Sequence, residues 1–408
     1  MNLKEEALKM HKDNQGKLMV KTKVAVNDEH DLALAYSPGV AEPCLEIEKN
    51  PEKIYDYTNK ANFVAVVSDG SAVLGLGDIG AAASMPVMEG KAVLFKEFGG
   101  VDAFPICLDE NDPDKIIEIV KKMESVWGGI NLEDIKAPQC FYIEDRLKEE
   151  LNIPVFHDDQ HGTAIITLAG LINSLKIVDK KMEDIKVVVN GAGAAGVSII
   201  KLLLSEGVED IIALDSKGAI YKGRDRLNDS KEMLAEITNK NNKKGDLAEI
   251  MKGTDVFIGV SIANLVSKEM VKSMNTDPII FAMANPDPEI LPDDAFEAGA
   301  KIVGTGRSDF PNQVNNVLAF PGIFRGALDV RAREINEEMK KAAAYALADL
   351  IGEDELAPDY VIPKPFDPRV GPHVAAAVAQ AAIDTNAARI KLSYEEELEK
   401  AKKIMDKK

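Results

Sequence analysis

The sequence predicts an α/β protein built around a doubly wound parallel sheet, with another α/β domain ahead of it and helices after it. Three observations predict this class: a regular alternation of strand-like and helical stretches, a glycine-rich turn directly after the first strand of that alternation, and a content of 46% hydrophobic and 29% charged residues. Such a composition is typical of globular proteins, and the alternation is typical of parallel strands joined by helices. The predicted strands of this sheet are Val187–Val189, Ile211–Leu214, Val256–Val260, Ile279–Met283 and Lys301–Val303.

The part of the chain before this alternation is less regular. Strand-like runs occur at Phe63–Val67 and Phe104–Cys107, and helical runs at Asp114–Trp127 and Asp145–Leu151. They predict a separate α/β unit that ends near Asp158–Thr163. We therefore expect an N-terminal domain of residues 1–160, followed by the parallel-sheet domain of residues 161–330.

The part after Phe324 is predicted to be helical. Two long segments, Leu328–Ile351 and Val374–Ala388, are separated by the proline-rich stretch Pro358–Pro372. We expect a C-terminal helical segment of residues 331–408 that packs back across both domains.

The acidic composition narrows the choice of partners. The net charge of −19 at pH 7 argues against nucleic acid and anionic membranes. The three cysteines contain no C-x-x-C pair, as expected in a reducing compartment. The longest apolar run, Ile165–Ile172, is shorter than the roughly 20 residues of a membrane helix, and the charged N-terminus lacks the apolar core of a secretion signal. We expect a cytoplasmic protein that binds neither nucleic acid nor membrane.

A glycine-rich turn begins the parallel-sheet domain. The strand Lys186–Asn190 runs into a G-x-G-x-x-G pattern that leads into a helix, with the residues Gly191, Ala192, Gly193, Ala194, Ala195 and Gly196. Glycines at these positions allow a tight turn and let the backbone approach a pyrophosphate at the helix N-terminus. The pattern predicts a Rossmann-type dinucleotide site. The alternative is a turn that only connects the strand to the helix.

The choice of dinucleotide depends on Asp215, which ends the next strand. A carboxylate there accepts hydrogen bonds from the adenosine ribose and repels the 2′-phosphate of NADP, which favours NAD. Lys217 and Lys222 are close enough in the sequence to soften this repulsion. We predict NAD as the cofactor, with NADP as the alternative.

Two acidic clusters, Asn131–Ile135 and His157–Thr163, predict a metal site. Each follows a strand-like or turn segment and precedes an element boundary. Oxygen ligands at such chain ends suit Mg²⁺ or Mn²⁺ rather than zinc. The alternative is pairs of acids in contact with solvent.

Lys91 is a candidate base because of its place on a predicted helix, Val87–Phe98. The residues that share its face, at helical offsets of three, four and seven, are Val87, Met88, Phe95 and Phe98. Burial on an apolar face is expected to lower the pKa of its ammonium and so to make it a base. The alternative is a lysine whose stem lies on the core while its ammonium reaches water.

Two further candidates stand next to predicted element ends. Ser37 reads as a helix N-cap with Pro38 as the first helical residue, so Tyr36 would stand beside a helix N-terminus, which attracts carboxylates. Asn285 follows the strand Ile279–Met283, at the end of the sheet where such folds bind ligands. The alternatives are a tyrosine packed on a turn and an Asn-Pro turn signal.

Taken together, the motifs resemble those of the short bacterial and archaeal malic enzymes. The similarity spans roughly residues 30 to 330, and the motifs occur in the family's order. They are Tyr36–Val40, Gly75–Ile79, Pro86–Lys91, Asn131–Ile135, Phe156–Thr163, Gly191–Gly196, Ala284–Pro286 and Asn312–Asn316. The resemblance implies a metal-dependent oxidation of L-malate by NAD(P) with decarboxylation to pyruvate. It also implies a homodimer or a higher homo-oligomer.

The resemblance assigns roles residue by residue. One glutamate and two aspartates hold the metal in that family, and they map to Glu133, Asp134 and Asp159, with Asp158 in the adjacent position. The family's base maps to Lys91, and the tyrosine that protonates the enol intermediate maps to Tyr36. Asparagines that contact malate or the nicotinamide map to Asn285 and to Asn315 or Asn316, of which we favour Asn316.

One feature departs from the larger eukaryotic malic enzymes. Their arginine, which clamps a substrate carboxylate, has no counterpart in Asp69–Gly75. That contact is expected to come from a lysine, from the helix N-terminus after Tyr36 or from a neighbouring subunit. Two other classes of protein remain as alternatives: an amino-acid dehydrogenase, which needs no divalent cation, and a nucleotide sensor without catalysis.

Overall fold

The computed structural model describes residues 2–73 and 75–406, so Met1, Leu74 and the last two residues of the predicted C-terminal segment lie outside it. The N-terminal part begins with four α-helices ahead of the first sheet: α1 (Leu3–Asn14), α2 (Glu29–Ala35), α3 (Ala41–Lys49) and α4 (Ile54–Tyr57). Two short 3-10 helices, Pro51–Lys53 and Asn59–Ala61, flank α4. No described residue of α1, α2 or α3 is buried. These three helices therefore form an exposed N-terminal arm, a name we keep for residues 3–49.

The first sheet has four parallel strands in the order β2-β1-β3-β4. The elements, in chain order, are β1 (Phe63–Ser68), α5 (Gly80–Gly99), β2 (Asp102–Cys107), α6 (Pro113–Lys122), β3 (Gly129–Leu132), α7 (Gln139–Glu150) and β4 (Val155–His157). Strands β1, β3 and β4 are mostly buried runs, as expected for a parallel sheet covered on both faces, whereas the edge strand β2 is only partly buried. This confirms the α/β character expected of the N-terminal part.

The second sheet is the predicted doubly wound sheet. Its order is β10-β9-β8-β5-β6-β7, and all neighbours are parallel except the short β7. The strands are β5 (Lys186–Asn190), β6 (Asp210–Asp215), β7 (Gly218–Ala219), β8 (Val256–Gly259), β9 (Ile279–Ala282) and β10 (Ile302–Thr305). The helices are α8 (Asp158–Val178), α9 (Ala194–Ser205), α10 (Asp229–Ile237), α11 (Leu247–Met251), α12 (Lys268–Lys272) and α13 (Pro292–Glu297).

The connection out of β5 creates a crevice in this sheet. From β5 the chain passes through α9 to β6 on one side, and it later returns to β8 on the other side of β5. Ligands of such sheets bind at this switch point, outside the carboxyl ends of the strands. The predicted division at residue 160 falls in the first turn of α8, and α8 packs against α9 of the second sheet. The domain boundaries therefore stay a prediction.

Four α-helices follow the second sheet: α14 (Phe320–Asp329), which precedes the predicted C-terminal segment, and α15 (Glu337–Ala348), α16 (Val370–Asp384) and α17 (Tyr394–Met405) within it. The predicted continuous helix Leu328–Ile351 is therefore wrong. The chain leaves the helical conformation at Arg331, whose φ is 50°, and Asn336 caps a new helix with its side chain. As expected, these helices pack across both sheets, since α14 and α17 contact α5 while α15 contacts α8.

Among residues 2–73 and 75–406, one helix, α8, is long and apolar enough to cross a membrane by length and composition alone. Helix α8 is longer than the predicted apolar run Ile165–Ile172. However, 67% of its most apolar 18-residue stretch is buried inside the protein. Core helices pass the same test, and Ile165, Ile166 and Leu168 of α8 are fully buried between the two sheets' helices.

Candidate active site

Three carboxylates converge where two strands of the first sheet end. Glu133 and Asp134 follow β3, and Asp159 lies in the first turn of α8, directly after the neighbouring parallel strand β4. One carboxylate oxygen from each lies within 4.8 Å of the other two. The Asp134 backbone has a φ of 54°, and its N–H donates to Asp159 Oδ2 at 2.7 Å. The local chain path therefore turns the two acidic segments toward one point.

The donor set fits a hard divalent cation. Glu133 and Asp134 are only 4% and 3% exposed, so carboxylates lie together away from most of the solvent. Burial raises the pKa of Glu133 well above its usual value, and the charges of Asp159, Asp158 and Asp134 raise it further against the opposing effect of Lys91. Clustered buried carboxylates of this kind need a cation or a proton for compensation, and oxygen-only ligands suit Mg²⁺ or Mn²⁺.

Lys91 lies on α5 and points into this cluster. It is 8% exposed, and its Nζ atom is 2.6 Å from Asp158 Oδ2 and 2.8 Å from Glu133 Oε1. The same Nζ atom lies 4.5 Å from the centre of the Phe320 ring, so the ammonium has an aromatic face on one side. The alternative of an ammonium that reaches water is therefore excluded for this conformation.

The helix face of Lys91 was predicted only in part. Met88 and Phe95 are fully buried beside it, as expected, but Val87 is 38% exposed and does not belong to the buried face. The helix also begins earlier than predicted, at Gly80, with Pro86 inside it.

The expectation of a lowered pKa for Lys91 is wrong in this conformation. Burial alone lowers the pKa of the ammonium, but the negative charges of Asp158, Glu133 and Asp159 outweigh it and raise the pKa above its usual value. The apolar face of the helix is visible in the sequence, but the carboxylates that pair with Lys91 come from other elements.

Asn316, which follows β10 in the sequence, contacts the same cluster. Its Nδ2 group donates to Asp158 Oδ2, the oxygen that also pairs with Lys91. Asn315, by contrast, uses its side chain to accept from the backbone N–H of Val317. The structure therefore brings Asn316, rather than Asn315, to Lys91. Asp158, which the sequence placed only beside the metal ligands, is the residue that links them.

Asn285 and Tyr36 lie in more exposed positions. Asn285 is exposed in the loop after β9, at the carboxyl end of the strand, and its bond to Pro286 is cis. Tyr36 is 71% exposed on the N-terminal arm, whereas Lys91 is buried and bonded to Asp158 and Glu133. Among the described residues, no hydrogen bond joins Tyr36 to Lys91.

The predicted helix start at Ser37 is wrong. Tyr36 is the C-cap of α2, and the next helix begins only at Ala41, with Val40 at its N-cap. Pro38 follows a cis bond after Ser37 and lies in a turn. Ser-Pro resembles a helix start in sequence, but its peptide geometry cannot be read from residue types.

The glycine-rich turn borders a cavity of about 1270 Å³. A Cβ atom on Gly196 would lie 1.8 Å from the carbonyl oxygen of Gly191, and one on Gly191 would lie 2.7 Å from that of Val260, so both close approaches require glycine. Gly193 precedes α9, whose first residues are Ala194 and Ala195. The turn thus aims the N-terminus of α9 at the cavity, as a dinucleotide pyrophosphate requires.

Asp215 lies on the wall of this cavity, but its carboxylate is already occupied. Arg224 donates to it at 2.9 Å, Lys231 at 2.8 Å and the backbone N–H of Lys217 at 2.9 Å. Burial opposes its ionisation, yet the hydrogen bonds of Arg224 and Lys231 hold the pKa of Asp215 well below its usual range.

Lys217 and Lys222 were predicted to soften the charge of Asp215. Lys217 contacts this carboxylate through its backbone N–H, but Lys222 pairs with Glu236, so the prediction is wrong for Lys222. Arg224 and Lys231, which the sequence analysis missed, carry that role. No spacing signal marks them, because the hairpin of β6 and β7 and the start of α10 bring them back to Asp215.

Two family models and several known proteins that match this chain belong to one family. The model of the malic enzyme N-terminal domain matches residues 14–148, and that of the malic enzyme NAD-binding domain matches residues 160–383. The bifunctional malic/malolactic enzyme of Bacillus subtilis is 66% identical over 405 residues, which cover 99% of both chains. An NAD-dependent malic enzyme of Geobacillus stearothermophilus is 57% identical over 95% of this chain and 81% of its own length.

Two further comparisons concern an NADP-dependent relative and a crystal structure. An NADP-dependent malic enzyme of Haemophilus influenzae is 54% identical over 95% of this chain, which spans 53% of that protein. The crystal structure of a malic enzyme from Pyrococcus horikoshii superposes with a TM-score of 0.96 at 48% identity, covering 99% of this chain and 96% of that one.

Proposed function

Because the chain belongs to the malic enzyme family of NAD(P)-dependent oxidoreductases, we propose that it oxidises L-malate with a nicotinamide dinucleotide and decarboxylates it to pyruvate and CO₂, using Mg²⁺ or Mn²⁺. The observation that carries the proposal is the convergence of Glu133, Asp134 and Asp159 within 4.8 Å, next to the ammonium of Lys91. A dinucleotide enzyme that needs no cation has no use for three such carboxylates around its base.

Glu133, Asp134 and Asp159 would hold the cation. Bound there, Mg²⁺ or Mn²⁺ supplies Lewis-acid polarisation of the oxygen on the reacting carbon of malate. The chemistry of the donors supports this assignment, since all three are carboxylates and two of them are buried.

Lys91 is the proposed base. It accepts the proton of the malate C2 hydroxyl while the C2 hydride leaves for the nicotinamide. Its raised pKa results from the carboxylates around it, so positive charge placed on Glu133 and Asp159 lowers that pKa toward a useful range. Asp158 and Asn316 fix the direction of the amine through their shared contact.

Tyr36 is the proposed acid, and it would act from a second copy of the chain. After CO₂ leaves, the enol of pyruvate needs a proton at C3, and a tyrosine hydroxyl donates it. Two features support a partner subunit. The arm that carries Tyr36 buries none of its described residues, and it exposes large apolar side chains, among them Leu8, Leu32, Leu34 and Leu45. We therefore propose a homodimer in which the arm covers the partner's site.

The dinucleotide would lie in the cavity beside Gly191–Gly196, with Asp215 near the adenosine ribose and Asn285 near the nicotinamide or the substrate. We keep NAD as the proposed cofactor. However, Arg224 and Lys231 neutralise Asp215, which weakens the argument from repulsion and leaves NADP as a strong alternative. A cytoplasmic location remains part of the proposal.

The test is an assay of the purified chain with L-malate, Mn²⁺ and each dinucleotide, followed by the absorbance of the reduced nicotinamide and by CO₂ release. The proposal predicts malate-dependent reduction that stops when a chelator removes the cation. Undiminished activity after chelation would support an amino-acid-dehydrogenase-like mechanism instead, and cofactor binding without turnover would support a sensor.

A second candidate activity is the conversion of malate to lactate. The observation that favours it is the 66% identity, over almost the full length, to a relative named a bifunctional malic/malolactic enzyme. Chemically, pyruvate retained in the site takes the hydride back at C2 from NADH, and Lys91 returns a proton to the oxygen, which regenerates NAD. Incubation of isotope-labelled malate with a catalytic amount of NAD should then yield labelled lactate. Pyruvate as the sole product would limit the chain to the first activity.

A further inference from the structure

Glu289 is a fully buried carboxylate in the segment between β9 and α13. One of its oxygens, Oε1, accepts the backbone N–H of Ser261 at 3.1 Å, and the other, Oε2, accepts the backbone N–H of Ala284 at 3.0 Å. Ser261 lies in the loop after β8, whereas Ala284 lies in the loop after β9. A single side chain therefore joins the loops that follow two neighbouring strands.

Both loops belong to the proposed cofactor site. Val260, Ser261 and Ile262 line the cavity beside the glycine-rich turn, and Ala284 directly precedes Asn285. The two loops leave the carboxyl ends of adjacent parallel strands, which is where the ligands of such sheets bind. Their relative position thus sets the distance between the dinucleotide and Asn285.

The end of β8 is shaped to admit this carboxylate. A Cβ atom on Gly259 would lie 2.4 Å from Cδ and Oε1 of Glu289, so any larger residue there would displace the carboxyl group. The backbone of the same segment is anchored as well, since Val266 N–H donates to the carbonyl oxygen of Glu289 at 3.0 Å. The carboxyl group of Glu289 therefore packs against Gly259, while its two oxygens accept hydrogen bonds from the loops after β8 and β9.

We propose that Glu289 is a positioning residue that fixes the loops after β8 and β9 relative to each other and thereby holds the dinucleotide site in its binding geometry. This inference rests on the proposed function for the identity of the ligand. Hydrogen bonds from backbone N–H groups to a charged acceptor are stronger than those to a neutral one, and they are strengthened further away from water. Glutamine at this position presents one acceptor oxygen instead of two, so one loop loses its partner.

The test compares Glu289→Gln with Asp255→Asn. Asp255 is a matched control because it is another buried carboxylate, 6% exposed, at the opposite end of β8. It also accepts a backbone N–H, from Lys186 at 2.9 Å, and it pairs with Lys180 at 2.8 Å. Both variants are expected to lose stability, but only the loss at Glu289 is expected to change cofactor binding.

NADH is the probe, and its affinity is measured by its fluorescence on binding to the full chain. We expect Glu289→Gln to raise the NADH Kd by about tenfold, equivalent to about 1.4 kcal/mol. The KM for the oxidised dinucleotide should rise with it, while Asp255→Asn stays within about twofold of the unchanged protein. An unchanged Kd in Glu289→Gln, or an equal rise in Asp255→Asn, would overturn the inference.

Gly259→Ala serves as a second variant if Glu289→Gln does not fold. The added methyl group is expected to displace the carboxyl group and to raise the NADH Kd in the same direction, whereas an unchanged Kd would count against the inference. Malate turnover of the unchanged chain is measured in parallel. If the unchanged chain does not turn over malate, the proposed function is refuted. The NADH affinities of the variants still test the role of Glu289.

Discussion

Replacement of Lys91 by methionine removes the ammonium that faces a cluster of carboxylates. Lys91 is paired directly with Asp158 and Glu133, and Asp159 adds to the same negative field. The paired side chains are 0% and 5% exposed, so solvent screens these charges little. Removal of one partner from a buried ion pair costs about 3–5 kcal/mol, because the remaining charge stays buried. We expect the free energy of unfolding to fall by about 3 kcal/mol, since the carboxylates can take up protons.

The same substitution should abolish most of the activity. A positioned base contributes about 10²–10⁴-fold to the rate, so turnover of malate should fall by that factor at saturating malate and Mn²⁺. The stability loss should be largest in the presence of a chelator and smaller with Mn²⁺, because the cation supplies the positive charge that Lys91→Met removes. Thermal unfolding in both conditions, together with initial rates, measures these effects separately.

Lys96→Met is the matched control on the same helix. The Lys96 side chain is 58% exposed and pairs with Asp102 at 2.7 Å, and pairs of this kind contribute about 0–1 kcal/mol. It should therefore change neither turnover nor the response to Mn²⁺. If Lys91→Met keeps more than about a tenth of the turnover, the loss is much smaller than that expected for a base. Lys91 is then not the base.

Three more predictions concern other parts of the chain. A mixture of Tyr36→Phe and Lys91→Met chains, dissociated and reassociated, should regain about a quarter of the full activity, because half of the random dimers then hold one intact composite site; no recovery would place both residues in one chain's site. Burial raises the pKa of Glu397 to about 9 from 4.5, so this carboxyl keeps its proton in the folded state and loses it on unfolding. Stability should therefore fall between about pH 5 and pH 9 by up to about 1.4 kcal/mol per pH unit, a slope that Glu397→Gln should remove in pH-dependent denaturation, whereas an unchanged slope would contradict the assignment. Lys231→Gln should lower the preference for NADP relative to NAD by about fivefold, about 1 kcal/mol, because a cation beside Asp215 is lost; an unchanged ratio of kcat/KM would exclude it as a determinant.

Much of the fold could be predicted from periodicity. Each of the five strands predicted for the second sheet overlaps an observed one, since a run such as Val187–Val189, flanked by turn residues, has few other ways to be buried. The helix around Lys91 was likewise predicted from its apolar spacing, with its start misplaced. These features depend on local sequence, which is why the pattern was sufficient.

The predictions that failed depend on backbone conformations that residue types do not reveal. The helix predicted across Leu328–Ile351 breaks at Arg331, a non-glycine residue with a positive φ. The chain forms a turn after Ser37, and Val40 rather than Ser37 is the N-cap of the following helix. A local signal predicts what a segment prefers, and tertiary packing can override it at single residues.

The cluster of Glu133, Asp134 and Asp159 could be predicted from the sequence, but the contacts that surround the candidate site could not. The raised pKa of Lys91 and the pairing of Asp215 with Arg224 and Lys231 arise from side chains that are distant in the sequence or separated by a hairpin. The exposure of Tyr36 agrees with the homodimer that we propose. The sequence therefore indicates which residue types stand at the site but not the electrostatics around Lys91 and Asp215.

The most direct test of the central claim is a titration of the chain with Mn²⁺, followed by the paramagnetic resonance of the free ion. The proposal predicts one site per chain that Asp159→Asn weakens by at least about tenfold, because a charged ligand is lost. Asp114→Asn, at an aspartate whose side chain is 72% exposed, should leave the site unchanged. Equal Mn²⁺ affinity in Asp159→Asn and in the unchanged chain would show that Glu133, Asp134 and Asp159 do not share an ion.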